Sequence, residues 1–200
     1  NQNEHKINTL TIGNKSFQTS KNLIGIVGSG NFTKLTMMPI LKKLNCNIKY
    51  ICSQNGLSGT RLGEKYNIQK STTDYMQILE DETINIVIIT TRHSLHYEMI
   101  INALKAGKNI FIEKPLCLSI KQLNEIIKTY NKSKNCSIMV GYNRRFSIHL
   151  KRIKDSLGEN SGPKNIIINM NAGYLPTSHW AKDYQNEGGR IIGEACHLFD

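Results

Sequence analysis

From Leu23 onward, short apolar runs alternate with stretches of helical periodicity, and this alternation leaves few folds open. Leu23–Val27, Ile48–Cys52, Ile84–Thr90, Asn109–Ile112 and Ser137–Val140 are brief, rich in β-branched residues and apolar along nearly their whole length, which marks strands buried on both faces. Between them, Leu95, Met99 and Ala103, with Ile100 and Leu104 alongside, predict a helix over 93–106 that stops at Gly107. Ser119 caps a second helix through Tyr130 with Ile120, Leu123, Ile126 and Ile127 on one face, and Asp74 caps a short one through Leu79. Strands of this kind need helices on both sides, so the pattern predicts an α/β fold with a doubly wound parallel sheet.

The turn after the first strand carries the clearest chemistry. Gly28-Ser29-Gly30-Asn31-Phe32-Thr33 joins a strand to a helix, where one glycine permits a tight turn, the next lets backbone approach a pyrophosphate, and the helix N-terminus offers free N–H groups. Thr33 stands where the dinucleotide fingerprint has its third glycine. The following strand ends Cys52-Ser53-Gln54-Asn55 with no acid to hold ribose hydroxyls; Ser53 can bond a bare hydroxyl and Arg61 can face a 2′-phosphate, so NAD and NADP both remain open. Thr90-Thr91-Arg92 and Glu113-Lys114-Pro115 close two further strands at the same carboxyl edge, where open α/β sheets bind ligands. The cofactor-binding set is therefore Gly28, Gly30, Asn31, Phe32, Ser53, Thr90, Thr91, Arg92, His96, Glu113 and Lys114. His93 and His96 share the first turn of the next helix, and for each a cap or surface role weighs against contact with a ligand. Lys114 is the proton-handling candidate, since a lysine in a closing cleft can have its pKa lowered.

Composition narrows the function classes. The chain has 26 basic and 15 acidic residues for a net charge of +11, but the basic residues neither cluster with aromatics nor form a recognition helix, so no nucleic-acid partner is expected. No apolar run reaches membrane-spanning length and residues 1–20 lack the apolar core of a signal peptide, so no membrane partner is expected. The five cysteines are scattered without a C-x-x-C pair, which argues against both a zinc site and a disulfide framework and fits a cytoplasmic protein; no metal is expected. Residues 1–21 read as a linker or disordered end, 22–141 as the nucleotide-binding domain, and 142–200 as an incomplete second domain with a basic helix through Leu157 and a strand-like run at Ile166–Met170. With Asn at position 1, the chain is expected to be a piece of a longer protein.

Three ordered motifs carry a resemblance. Glu113-Lys114-Pro115-Leu116, Val140-Gly-Tyr-Asn-Arg-Arg-Phe146, and Gly188-Gly189 with His197 and Asp200 closely resemble the Gfo/Idh/MocA oxidoreductases over about residues 22–200. The resemblance implies a Rossmann domain followed by a C-terminal α/β domain with an open, largely antiparallel sheet through which homo-oligomers form. It further implies hydride transfer between NAD or NADP and a hydroxyl carbon of a sugar, cyclitol or nucleotide sugar. Asn171-Ala-Gly-Tyr-Leu-Pro176, His179-Trp180 and the segment from Gly189 to His197 look most like a bi-domain subgroup found with polysaccharide biosynthesis. By the same resemblance, Lys114 contacts the reacting hydroxyl, His197 is the catalytic histidine, and Asn143, Arg144, Trp180 and His197 bind substrate. The acid often found four residues before that histidine is replaced by Gly193, with Glu194 beside it as the expected substitute. The alternative is a non-catalytic nicotinamide-nucleotide-binding regulatory module.

Overall fold

The computed structural model describes residues 8–14, 17, 22–133, 135–158, 162–171 and 173–200. The strands β1 (Thr9–Thr11), β2 (Leu23–Val27), β3 (Ile48–Cys52), β4 (Lys70–Thr72), β5 (Ile84–Ile89), β6 (Asn109–Glu113) and β7 (Ile138–Gly141) form one sheet in the order β1-β4-β3-β2-β5-β6-β7. All neighbouring pairs run parallel except β1 with β4. This is the doubly wound order, with its direction of winding reversing between β2 and β5.

The helices are α1 (Met38–Lys43, entered through a π-helical turn at Thr33–Met37), α2 (Leu57–Tyr66), α3 (Met76–Glu80), α4 (His93–Lys105) and α5 (Ile120–Lys132). Alternate residues of β2 serve two separate cores. Leu23 and Val27 pack with Ile78, Leu79, Ile100, Ala103, Leu104 and Ile126 of α3, α4 and α5. Ile24 and Ile26 pack with Met38, Leu41 and Leu62 of α1 and α2. Each Val, Leu, Ile or Met side chain so buried contributes about 1.5–3 kcal/mol through area removed from water, which explains why the strands are apolar on both faces. Ser119 caps α5 as expected, its Oγ accepting from the Gln122 N–H (3.2 Å); α3 has Tyr75 rather than Asp74 at its N-cap, and Asp74 Oδ1, one residue earlier, accepts from the Met76 N–H (2.9 Å).

Two expectations change. Within the segment read as a linker, Thr9–Thr11 forms an edge strand that pairs with the outer side of β4, and Ile12 N–H extends the pairing to Gln69 O (2.9 Å). An open sheet edge offers unpaired backbone groups, and this polar stretch satisfies them without needing an apolar pattern. Most of residues 1–21 lies outside the described residues. Ile166–Met170, expected to be a strand, forms none; Ile166, Ile167 and Ile168 are 73%, 80% and 51% exposed, with no strand beside them among the described residues. A β-branched run without a partner has no ladder to join.

Beyond β7 come a 3₁₀ turn (Asn143–Phe146), α6 (Ile148–Leu157), and a C-terminal segment that returns to the carboxyl edge of the sheet and ends in a π-helical turn (Ile191–Ala195) and α7 (Cys196–Phe199). No helix of the described residues is long and apolar enough to cross a membrane.

Candidate active site

The sheet's winding reversal opens a cleft of about 810 Å³ at the carboxyl ends of β2, β3, β5 and β6, within the size range of ligand pockets. All the residues expected at the cofactor line it except His96. Gly28 lies at φ +114°, and a Cβ there would stand 2.6 Å from Thr90 Oγ1 and 2.8 Å from the Thr90 carbonyl, so only glycine fits between β2 and β5. Gly30 has open space on its Cβ side, with nothing within 4 Å. The first helical bond runs from Lys34 N–H to Gly30 O (3.0 Å), so the N–H groups of the preceding turn lack intrahelical partners. Thr33 explains the altered fingerprint: it is fully buried and its hydroxyl bonds that of Thr90 (2.7 Å), locking the helix to the end of β5. An open glycine, unpartnered N–H groups and a positive helix end suit a pyrophosphate.

On the β3 wall, Ser53 Oγ accepts from the Gly59 N–H (3.0 Å), leaving its hydroxyl hydrogen to donate into the cleft. Lys34, Gln54, Asn55 and Ser58 line the same side, whereas Arg61 does not.

At the β6 end the cleft becomes ionisable. Glu113 Oε1 is buried without a hydrogen-bond partner, and burial pushes the carboxyl up to about 7 against the opposing pull of Lys114. The Lys114 ammonium donates to the Gly193 carbonyl, which ties the C-terminal segment to the cleft. His93 also lines the cleft: its Nδ1 lies 3.0 Å from Glu187 O, its ring meets Trp180 edge-on at 5.1 Å, and burial followed by the Lys114 charge lowers its pKa. Trp180, expected at the substrate, is on the wall as well.

The remaining expected residues stand elsewhere. His96 is fully buried, with Nδ1 2.7 Å from Pro115 O and Nε2 3.2 Å from Thr91 O; it pins the Glu-Lys-Pro turn to the Thr-Thr turn and does not face the cofactor cleft. Burial lowers its pKa although both carbonyls pull the other way. Glu194, expected to stand in for the missing acid, forms an ion pair with Arg190 (2.8 Å), one helical turn back, and has no hydrogen bond to Lys114 or His197. His197 is not on the cleft wall; its ring lies edge-on to Tyr142 at 6.0 Å, its Nδ1 is buried without a partner, and burial, Lys114 and Arg144 depress its pKa. Asn143 and Arg144 are exposed on the 3₁₀ turn, away from the cleft wall, with Arg144 Nη1 3.5 Å from Met170 Sδ. Asp200 pairs with Arg145.

Residues 23–142 match the Gfo/Idh/MocA family, described as an oxidoreductase family with an NAD-binding Rossmann fold. The chain belongs to this family. Among curated proteins, it is 29% identical to the uncharacterized oxidoreductase YrbE of Bacillus subtilis, over 91% of this chain and 53% of that one. It is 28% identical to myo-inositol 2-dehydrogenase of Thermotoga maritima, over 88% of this chain and 52% of the relative. The chain thus spans about half the length of these relatives. Of solved structures, KijD10, a 3-ketoreductase from Actinomadura kijaniata in complex with NADP and TDP-benzene, superposes with TM-score 0.63 at 21% identity, over 69% of this chain and 42% of that one. The myo-inositol 2-dehydrogenase of Lactobacillus plantarum gives TM-score 0.61 at 23% identity, over 69% and 42%. At these identities the likeness establishes the Rossmann fold alone.

Proposed function

We propose that the chain is the nucleotide-binding part of an NAD- or NADP-dependent oxidoreductase that transfers hydride to or from a hydroxyl-bearing carbon of a sugar, cyclitol or nucleotide sugar. The observation that carries this reading is one cleft holding both the phosphate-binding turn at Gly28–Phe32 and Lys114 of the Glu-Lys-Pro turn. A nicotinamide dinucleotide supplies the hydride acceptor or donor. The chain does the rest. The N–H groups after Gly28 hold a pyrophosphate, Ser53 and Asn55 face the ribose side, and Lys114, its ammonium fixed by the Gly193 carbonyl, directs its remaining N–H groups toward a substrate oxygen. Trp180 offers an apolar face against which a ring's C–H groups can lie. The dehydrogenase and ketoreductase names among the relatives support the substrate class, the segments 171–176, 179–180 and 189–197 support a polysaccharide-associated subgroup, the scattered cysteines support a cytoplasmic setting, and the family resemblance supports a homo-oligomer.

A second reading, a non-catalytic nicotinamide-binding regulatory module, draws on the missing carboxylate at Gly193 and the commitment of Glu194 to Arg190. Reduction of NAD or NADP by a panel of myo-inositol, hexoses and nucleotide sugars separates the two. The first reading predicts turnover with at least one member and its loss in Lys114→Ala. Binding of the cofactor with no turnover on any of them would favour the second.

A further inference from the structure

We propose that His93 is the proton acceptor at the chemical end of the cleft, with its Nδ1–H tied to the Glu187 carbonyl and the Nε2 lone pair left for a substrate hydroxyl. This rests on the reading that the cleft takes a nicotinamide dinucleotide.

A carbonyl oxygen only accepts, so the 3.0 Å contact requires the proton on Nδ1. In the neutral ring, Nε2 is then the base, and it makes no hydrogen bond among the described residues. His96, one turn further along α4, is the internal contrast: each of its nitrogens faces a backbone carbonyl, so neither opens to the cleft.

The orientation is held from several sides. Glu187, only 5% exposed, is fixed through its carboxylate by the Ser94 hydroxyl (2.9 Å) and the Ser94 N–H (3.4 Å), which keeps its carbonyl on Nδ1. Trp180 closes one face of the ring edge-on. Gly193 closes another: a Cβ at that position would stand 3.1 Å from His93 Cε1. The site at which the resemblance leads one to expect an acid is therefore the site whose bare backbone makes room for this imidazole. Losing the acid and placing His93 in the cleft are one arrangement.

The charges facing His93 are Lys114 from the end of β6 and Glu187 from the C-terminal segment, with the His96 ring 5.8 Å away on α4. Burial and Lys114 outweigh Glu187, so the ring stays neutral at pH 7 and able to accept. In the oxidative direction the substrate O–H bond breaks, the proton bonds to Nε2, and the electron pair stays on oxygen as the second C–O bond. A bound oxidised nicotinamide would take the hydrogen on that carbon with its own electron pair, as hydride. Reduction runs the same transfers backward. Lys114 holds the oxygen throughout and need not give up its own proton.

The test is long-range ¹H–¹⁵N correlation spectroscopy on the uniformly ¹⁵N-labelled chain, with His93 assigned from His93→Gln. At pH 7.5 the expected spectrum shows Nδ1 protonated and Nε2 carrying a lone pair, with a titration midpoint below that of free imidazole side chains that rises in Lys114→Met. An Nε2–H tautomer, a charged ring at pH 7.5, or a midpoint unmoved by Lys114→Met would overturn the proposal. NADH and NADPH fluorescence titrations on the same samples separate the two layers. A wrong tautomer in a chain that binds either nucleotide removes His93 alone, whereas a folded chain that binds neither removes the cofactor reading and this proposal with it.

Discussion

Gly28 and Gly30 lie two residues apart in one turn, yet the structure assigns them opposite sensitivities. In Gly28→Ala the new Cβ meets Thr90 Oγ1 at 2.6 Å and the Thr90 backbone at 2.8 Å, and the residue is held at φ +114°. The backbone conformation costs about 1–3 kcal/mol for a residue with a Cβ. Pressing against a strand end that cannot move aside adds about 1–3 kcal/mol. A total of about 2–6 kcal/mol, at roughly 2–4 °C per kcal/mol for a chain of this size, lowers Tm by about 4–24 °C. Gly30→Ala meets no atom within 4 Å and carries no positive φ, so Tm should shift by no more than about 2 °C. Its methyl instead occupies the space a pyrophosphate would take, and NADH affinity should fall at least tenfold, about 1.4 kcal/mol. Thermal unfolding followed by circular dichroism, paired with nicotinamide fluorescence, reads both effects. A Gly28→Ala chain within 2 °C of wild type, or a Gly30→Ala chain as destabilised as Gly28→Ala, would refute the geometry assigned to the turn.

Further predictions concern the groups around the cleft and the sheet. Because burial raises the Glu113 carboxyl to about 7 from 4.5, the folded state binds a proton that the unfolded state has lost, so this group's contribution is full below about 4.5 and is lost as pH rises to about 7. The Tm of Glu113→Gln should therefore fall less than that of wild type between those values, and parallel curves would contradict the assignment. Asp81 is held down to about 2 from 3.8, the carboxylate bonding Lys49 (2.6 Å) and Thr83 against the opposing effect of its burial. Its contribution is present above about 3.8 and lost as pH falls through about 2, so Asp81→Asn should melt below wild type at pH 7 and converge with it in strong acid. Thr33→Val keeps the shape but removes the bond to Thr90, and chemical denaturation should report a loss of about 1 kcal/mol. No loss would mean that the hydroxyl pair does not lock the helix to β5.

How much of this was legible in the sequence depended on how each feature earns its place. β2, β5 and β6 could be read because burial on both faces demands apolar residues throughout, and the phosphate turn because its glycines serve backbone geometry. β1 at the sheet's edge and β4 (Lys70-Ser71-Thr72) beside it were missed because three-residue strands carrying mostly polar side chains pair through their backbones and present no apolar run to read. Ile166–Ile168 has strand composition, but composition does not reveal whether a neighbour is there to pair. Lys114, Glu113 and Trp180 could be picked out by their motifs and line the cleft, while His93 and His96 were beyond the sequence to rank: three residues apart on one helix face, one opens to the cleft and the other to two carbonyls. For Glu194 a signal was present, since Arg190 stands four residues back, the spacing at which helical ion pairs form.

The most direct test of the central claim is equilibrium titration of the purified chain with NADH and NADPH, with Gly30→Asp as the control. Saturable binding of at least one nucleotide, abolished when a carboxylate is placed at the phosphate turn, is the predicted result. A folded chain that binds neither, or a Gly30→Asp variant with unchanged affinity, would contradict it.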